Sequence, residues 1–305
     1  MVNEQNTGVY FVEGYVARKD LVGIVTYLEE LEGTDAEHTR FYMLGDHWSH
    51  LEIDHEIVSM VKHLIKPDTP SWQLLSKRGV VVGLTAAGVV QEEIKDAGTG
   101  PQSYGYLSQI REIDGTLYTC GMCRQVYKRS GRGWVHMDDG ILAPRESVDF
   151  CLESIDGTDE ANLYAVGWKG EIFHFDGKKW DKISSPTNLD LERVRCAGPD
   201  LVYICGQNGV LLRGSGSTWE AFQDDDFDED LWGLEIFNDM PYVAWRGGLL
   251  RFDGAGLIPV ETGLEPPIDG GRLHAADGLL WSFGEEHLAC FDGKKWERVI
   301  CPDNE

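Results

Sequence analysis

The sequence predicts an all-β fold, a seven-bladed β-propeller with four antiparallel strands per blade and an irregular first blade. Three observations carry this expectation. A short apolar run, closing on glycine in six of its seven copies, recurs at a nearly constant step. Each recurrence is followed by turn residues and a further apolar strand of period two. The 36 glycines and 10 tryptophans among 305 residues suit a fold that repeats tight turns and large apolar wedges.

The recurring runs are FYMLG (41–45), GVVVG (79–83), LYTCG (117–121), LYAVG (163–167), VYICG (202–206), PYVAW (241–245) and LWSFG (280–284). Their last positions step by 38, 38, 46, 39, 39 and 39 residues, with Trp245 replacing glycine in the sixth. Ahead of most runs lies an alternating segment ending in a turn, such as LSQIREIDG, LERVRCAG or GRLHAADG, read as the first strand. After the run come a polar loop and a third strand, such as EIFHF, VLLRG or HLACF. A glycine turn then leads to a fourth strand opened by Trp134, Trp180, Trp219 or Trp296, with Leu257 in the sixth unit. The hexapeptide FDGKKW stands at 175–180 and again at 291–296, three units apart. Its Asp-Gly suits a hairpin needing positive φ, and its Trp is expected to pack into the neighbouring blade. The expected blades are 8–54, 55–97, 104–138, 147–184, 189–223, 229–262 and 269–301, in one domain over 1–305.

The first 70 residues are the least regular. IVTYLEE (24–30) is expected to be the inner strand of the first blade, before FYMLG. HEIVSMVKHLIK (55–66) fits one helical face, yet its position calls for an outer strand, and a strand is the reading taken. GVYFVEGYVARK (8–19) is expected to add a strand that helps close the ring.

The stretch LYAVGWKGEIFHFDGKKW (163–180) resembles propeller repeats of the photosystem-assembly-factor type and the related sialidase-like BNR repeats. The resemblance spans residues 70–300 and implies a fold, not an activity. The sialidase Asp-box separates its Asp from its Gly, whereas Asp176-Gly177 and Asp292-Gly293 are adjacent. In those relatives the box is itself structural.

Lys plus Arg number 27 against 52 Asp plus Glu, a net charge of −25. That field repels phosphate backbones, so nucleic acid is not an expected partner, and it attracts a basic protein. Solubility alone is the bland alternative. No run approaches the roughly 18 apolar residues of a membrane span. The opening MVNEQNTGVYFVEG has no basic segment leading into an apolar stretch, so no secretory leader is expected. An odd seven cysteines then fit reduced thiols and a cytoplasmic location.

Catalytic signatures are missing from the sequence. Cys120-Gly-Met-Cys123 is a CxxC, but position 120 falls in an apolar column of the repeat, so a small core residue is expected. His47, His50, His55 and His63 lack metal-ligand spacing, and no cofactor or metal is expected. Arg124, Arg246 and Arg272 could share a face, as a sialidase site would need, but scattered surface arginine is the stronger reading. No phosphate loop, nucleophile elbow or HExxH is present.

The strongest charge feature is DDDFDED, comprising Asp224, Asp225, Asp226, Phe227, Asp228, Glu229 and Asp230. It joins two blades on the face that also holds the second-to-third loops. Trp48, Trp168, Arg246, Glu285 and Glu286 are expected on that face, with Trp168 and Phe227 as apolar anchors. The alternative is a solvated acidic loop. The function expected is a non-enzymatic protein-binding propeller, specifically an acidic immunity or inhibitor protein that covers the active surface of a basic cytoplasmic toxin or enzyme. The alternatives are a glycosidase- or lyase-type propeller with a pocket on its axis, and an assembly-factor scaffold.

Overall fold

The computed structural model describes residues 8–66, 69–131 and 133–304. They form seven four-stranded antiparallel sheets, each in simple chain order. Helix among the described residues is limited to short 3₁₀ turns. The sheets cover 9–53, 57–93, 107–136, 152–183, 191–222, 231–259 and 272–299, numbered here as blades 1 to 7. Their first strands are Val9–Arg18, Ile57–Lys66, Leu107–Ile113, Leu152–Asp159, Leu191–Gly198, Leu231–Phe237 and Arg272–Ala276. Each first strand contacts the next and the seventh contacts the first, so they ring a central axis. The molecule is a seven-bladed propeller.

Antiparallel order sorts the loops onto two faces. The second-to-third turns and the links from a fourth strand to the next first strand emerge together, on what is called here the link face. The remaining hairpins, including both FDGKKW turns, emerge on the opposite, hairpin face.

The core is divided into seven apolar clusters, one between each adjacent pair of blades. This explains the unbroken apolar runs of the second strands. In Asn162–Gly167, Leu163 and Ala165 join the cluster shared with blade 3, while Tyr164 and Val166 join that shared with blade 5. A strand buried on both sides has no polar alternation to display. The tryptophan opening a fourth strand always packs toward the preceding blade. Trp180 and Trp296 are buried there, and Trp180 donates its indole N–H to the Met137 carbonyl at 2.7 Å. Trp134 and Trp219 pack in the same direction, as does Leu257.

The glycine that ends the second strand answers to close approach and not to φ. A Cβ at Gly167 would lie 1.8 Å from the Cys151 carbonyl oxygen, and one at Gly206 would lie 2.2 Å from that of Asp190. The entering first strand crosses there, and its carbonyls accept the Trp168 and Gln207 N–H at 3.0 and 2.9 Å. Trp245 escapes this constraint because its second-to-third turn is a tight hairpin closed by the Trp245–Gly248 pair.

Blades 1 and 2 correct the sequence reading by one strand. FYMLG and GVVVG lie in third strands, Thr39–Leu44 and Val80–Thr85, and not in second strands. Residues 24–28 of IVTYLEE belong to the second strand of blade 1, and the inner strand is Val9–Arg18, from the stretch expected only to help close the ring. HEIVSMVKHLIK forms a strand, but the first of blade 2 and not an outer one. Second and third strands are both flanked by partners, so their apolar runs look alike. Trp48 opens the fourth strand of blade 1, the slot filled elsewhere by Trp134, Trp180, Trp219 and Trp296.

Polar side chains fill the axis. At equivalent register, consecutive blades 3 to 6 present Arg111, Asp156, Arg195 and Glu235. Arg111 meets Asp156 at 2.9 Å and Arg195 meets Glu235 at 3.2 Å. Asp156 also accepts the Cys196 N–H from blade 5 at 2.8 Å. His274 of blade 7 continues the layer, its ring 3.9 Å from that of Tyr15, and its Nδ1 accepts the Val16 N–H at 3.2 Å. The space left is a cavity of about 20 Å³. Paired charges stand where the glycosidase alternative needs a substrate pocket.

Two outcomes follow from this packing. Trp180→Ala should cost about 3–5 kcal/mol in chemical denaturation, because it empties an inter-blade cluster and orphans a buried carbonyl. Burial, followed by the Arg111 and Arg195 charges, holds the His274 imidazole neutral to well below its usual pKa. The unfolded chain takes up that proton near pH 6.5 and the folded chain does not. The stability this contributes is therefore present above about pH 6.5 and lost as pH falls below it. His274→Asn should lose less stability than the parent between about pH 6.5 and 5, as urea midpoints at each pH would show.

Candidate protein-binding face

On the link face, aspartates standing just before a first strand fasten the neighbouring turns. Asp190 accepts the Lys169 N–H at 2.7 Å, and Asp230 accepts that of Asn208 at 3.0 Å. Lys169 and Asn208 have φ of 60° and 51°, a conformation that side-chain capping stabilises. Asp269 does the same for Glu286 at 2.8 Å, and its other oxygen meets His287 Nδ1 at 2.7 Å. These turns are held rigidly before any partner arrives.

The acidic run between blades 5 and 6 divides into two kinds of residue. Asp224 turns the loop, accepting the Asp226 N–H on its carboxylate at 3.0 Å and the Phe227 N–H on its carbonyl at 3.0 Å. Asp230 is a cap. Phe227 packs edge-on against Trp245, with centroids 5.2 Å apart, and covers Gly209, where a Cβ would lie 2.6 Å from its ring. It is half-buried and pins the loop. Asp225, Asp226, Asp228 and Glu229 remain exposed.

Of the other expected residues, Trp168 is half-buried in a link-face turn of blade 4 and donates its indole N–H to Glu153 at 2.8 Å. Arg246, Glu285 and Glu286 are exposed in link-face turns of blades 6 and 7. Arg246 and Glu285 line one depression of about 360 Å³, together with Trp232, Arg272, Phe11 and Phe283. Trp48 is not with them. It sits beyond Gly45 and Asp46 on the hairpin face, packed edge-on against Tyr42 at 5.7 Å. Its expected loop is a third-to-fourth hairpin, a consequence of the one-strand slip in blade 1.

Sequence reasoning missed Trp232. In six blades the first strand carries a β-bulge near its link-face end, at which Val12, Val58, Ser108, Glu153, Glu192 and Trp232 are the added residues. A bulge re-aims one side chain out of the pleat. In five of the six, both flanking residues are buried while the added one is not. Trp232 is 38% exposed, between buried Leu231 and Gly233. No periodicity marks such a residue; only the register shift does. Burial and the neighbouring Glu153 push the Glu192 carboxyl above its usual pKa.

Of the remaining candidates, Arg272 joins Arg246 in that depression and the others lie apart from it. Arg124 makes a two-pronged pair with Glu171 at 2.7 and 2.6 Å, and Arg272 donates to the Trp232 carbonyl. Cys120 and Cys123 are buried free thiols, which burial pushes above the usual thiol pKa. His63 pairs with Glu112 at 3.1 Å, and His50 lies 3.7 Å from Glu52.

The division of the acidic run is testable. Asp230→Ala should lower stability by about 1 kcal/mol through loss of the Asn208 cap. Asp225→Asn with Asp228→Asn should leave the melting temperature within about 1 °C, since both side chains are exposed.

No known family profile matches the chain. Solved structures agree on the fold alone. YCF48 bound to D1 peptide superposes with a TM-score of 0.67 at 11% identity, over 97% of this chain and 93% of that one. Saccharomyces cerevisiae Sqt1 gives 0.62 at 8% identity, over 96% and 85%. The WD40 propeller domain of Doa1 gives 0.61 at 9%, over 97% of each. The informative relative is the immune protein Tsi7 of Pseudomonas aeruginosa PAO1, 40% identical over 227 residues that make up 74% of either chain. With that identity over so much of its length, this propeller belongs to the family of the immune protein Tsi7.

Proposed function

We propose that the chain is an acidic immunity protein that neutralises a basic toxin in the cytoplasm by covering the toxin's active surface with its link face. Kinship with an immune protein is the observation that carries this reading. It favours binding over catalysis, and the charged plug on the axis is consistent with it. A net charge of −25 suits a basic partner, since opposite charge accelerates encounter, and speed is what an inhibitor needs. The aspartate-capped turns support the same reading, because a face ordered in advance loses little entropy on docking.

The test separates charge from contact. Asp225→Asn, Asp226→Asn, Asp228→Asn and Glu229→Gln together should slow association with the cognate toxin by about tenfold at low salt. The slope of rate against salt should flatten, and dissociation should change little. Stopped-flow fluorescence at several ionic strengths reads both. An unchanged rate and slope would leave the acidic loop as bystander surface.

A further inference from the structure

Resting on that reading, we infer that the toxin is anchored at the axial mouth of the link face, where a projecting toxin loop sets an apolar side chain beside Trp232 and a lysine or arginine against Glu153 and Glu192. Three independent features converge on this mouth. The first is Trp232 itself. A first strand is the most enclosed element of a blade, and Leu231 and Gly233 on either side of it are buried. The bulge nonetheless leaves the residue 38% exposed, with no partner ring to stack on among the described residues. Exposed tryptophan is disfavoured on a plain surface and enriched at binding hot spots.

The second is shape. The depression of about 360 Å³ beside Trp232 is lined by Phe11 and Phe283, by bare backbone at Gly270 and Gly271, and by the charged Arg246, Arg272 and Glu285. A Cβ at Gly270 would lie 2.3 Å from the Gly248 carbonyl oxygen, and one at Gly271 would lie 2.3 Å from that of Phe283. The chain thus keeps its backbone close-packed here, and the depression itself has room for one large side chain.

The third is charge. The bulges of blades 4 and 5 place Glu153 and Glu192 around the same mouth, and they repel one another. The buried Arg193 beneath them, 3.9 Å from Glu13 and donating to the backbone carbonyls of Glu192 at 3.0 Å and Glu153 at 3.4 Å, offsets part of their charge together with Arg272, but neither arginine forms an ion pair with either carboxylate. Trp168 supplies Glu153 with one hydrogen bond, at 2.8 Å. A cation from the partner would relieve the pair, and a loop bearing it next to an apolar tip matches both halves of the mouth. The outlying acids of the 224–230 loop lie at the rim and contribute to the rate of encounter; the mouth sets how long the complex lasts.

Surface plasmon resonance with the purified product of the neighbouring gene, tested as the toxin, decides the matter. Trp232→Ala should raise the dissociation constant about thirtyfold, through faster dissociation, with the association rate and melting temperature unchanged. Trp232→Phe should recover most of the loss. Glu153→Gln with Glu192→Gln should weaken binding about tenfold. If Trp232→Ala and the paired glutamine variant both bind within about twofold of the parent, the mouth is not the anchor and the immunity reading stands without it. If the parent chain itself neither binds this toxin nor protects cells expressing its active form, the immunity reading fails and the anchor fails with it.

Discussion

Closure of the ring is the constraint on which every other contact depends. The propeller has no central apolar core; it has seven cores, each built between two blades, and an open ring would leave one of them facing water. Among the described residues no strand is exchanged across the seam, since blade 1 is built from residues 9–53 and blade 7 from 272–299. The two ends are fastened by direct contact. Asn304 bonds both the N–H and the carbonyl of Val9 at 2.9 Å, Phe11 N–H reaches the Glu285 carbonyl at 2.9 Å, and Tyr42 donates to Asp303 at 2.5 Å. Gly14 admits the Phe283 ring so closely that a Cβ there would lie 2.1 Å from it. Many small contacts thus do what a shared strand would do.

Closure also forces seven first strands around one axis, and their inward side chains must be accommodated. Apolar residues of one size would leave a tube or clash. This chain places arginines and carboxylates of alternating sign there instead. Buried charges are costly unless each is paired, and removing one partner costs more than the pair contributes. Arg111 with Asp156 and Arg195 with Glu235 therefore specify which blade stands beside which, and they occupy the space a ligand would need. Such an axis is a spacer, and recognition is left to the surfaces at its ends.

The acidity of the surface serves two separable purposes. Asp190, Asp230 and Asp269 are structural, each tying down a turn that would otherwise be loose. The exposed acids of the 224–230 loop contribute only a field, which is screened within about 10 Å at moderate salt. Field and anchor are different physical quantities. A field changes how often partners meet, whereas a desolvated aromatic contact changes how long they stay together.

The seven-unit period, the Asp-Gly hairpins and the tryptophan wedges were legible in the linear sequence, because each is a local rule. A hairpin needs positive φ, a strand covered on both sides needs an apolar run, and a wedge needs bulk at a fixed offset. Trp48 shows the limit. Its slot is the same wedge position, but with second and third strands equally apolar the sequence could not say which one preceded it. Kinship with an immune protein likewise rests on identity spread over 227 residues and not on any motif. What only the tertiary structure decided was the division of labour among like residues. Asp230 is a cap while Asp228 is free, Phe227 is a pin while Trp232 is open, and Glu153 and Glu192 stand at equivalent bulges of adjacent blades although 39 positions separate them in the chain. Those distinctions arise from bulges and from ring closure, which bring together residues from blades that no local pattern links.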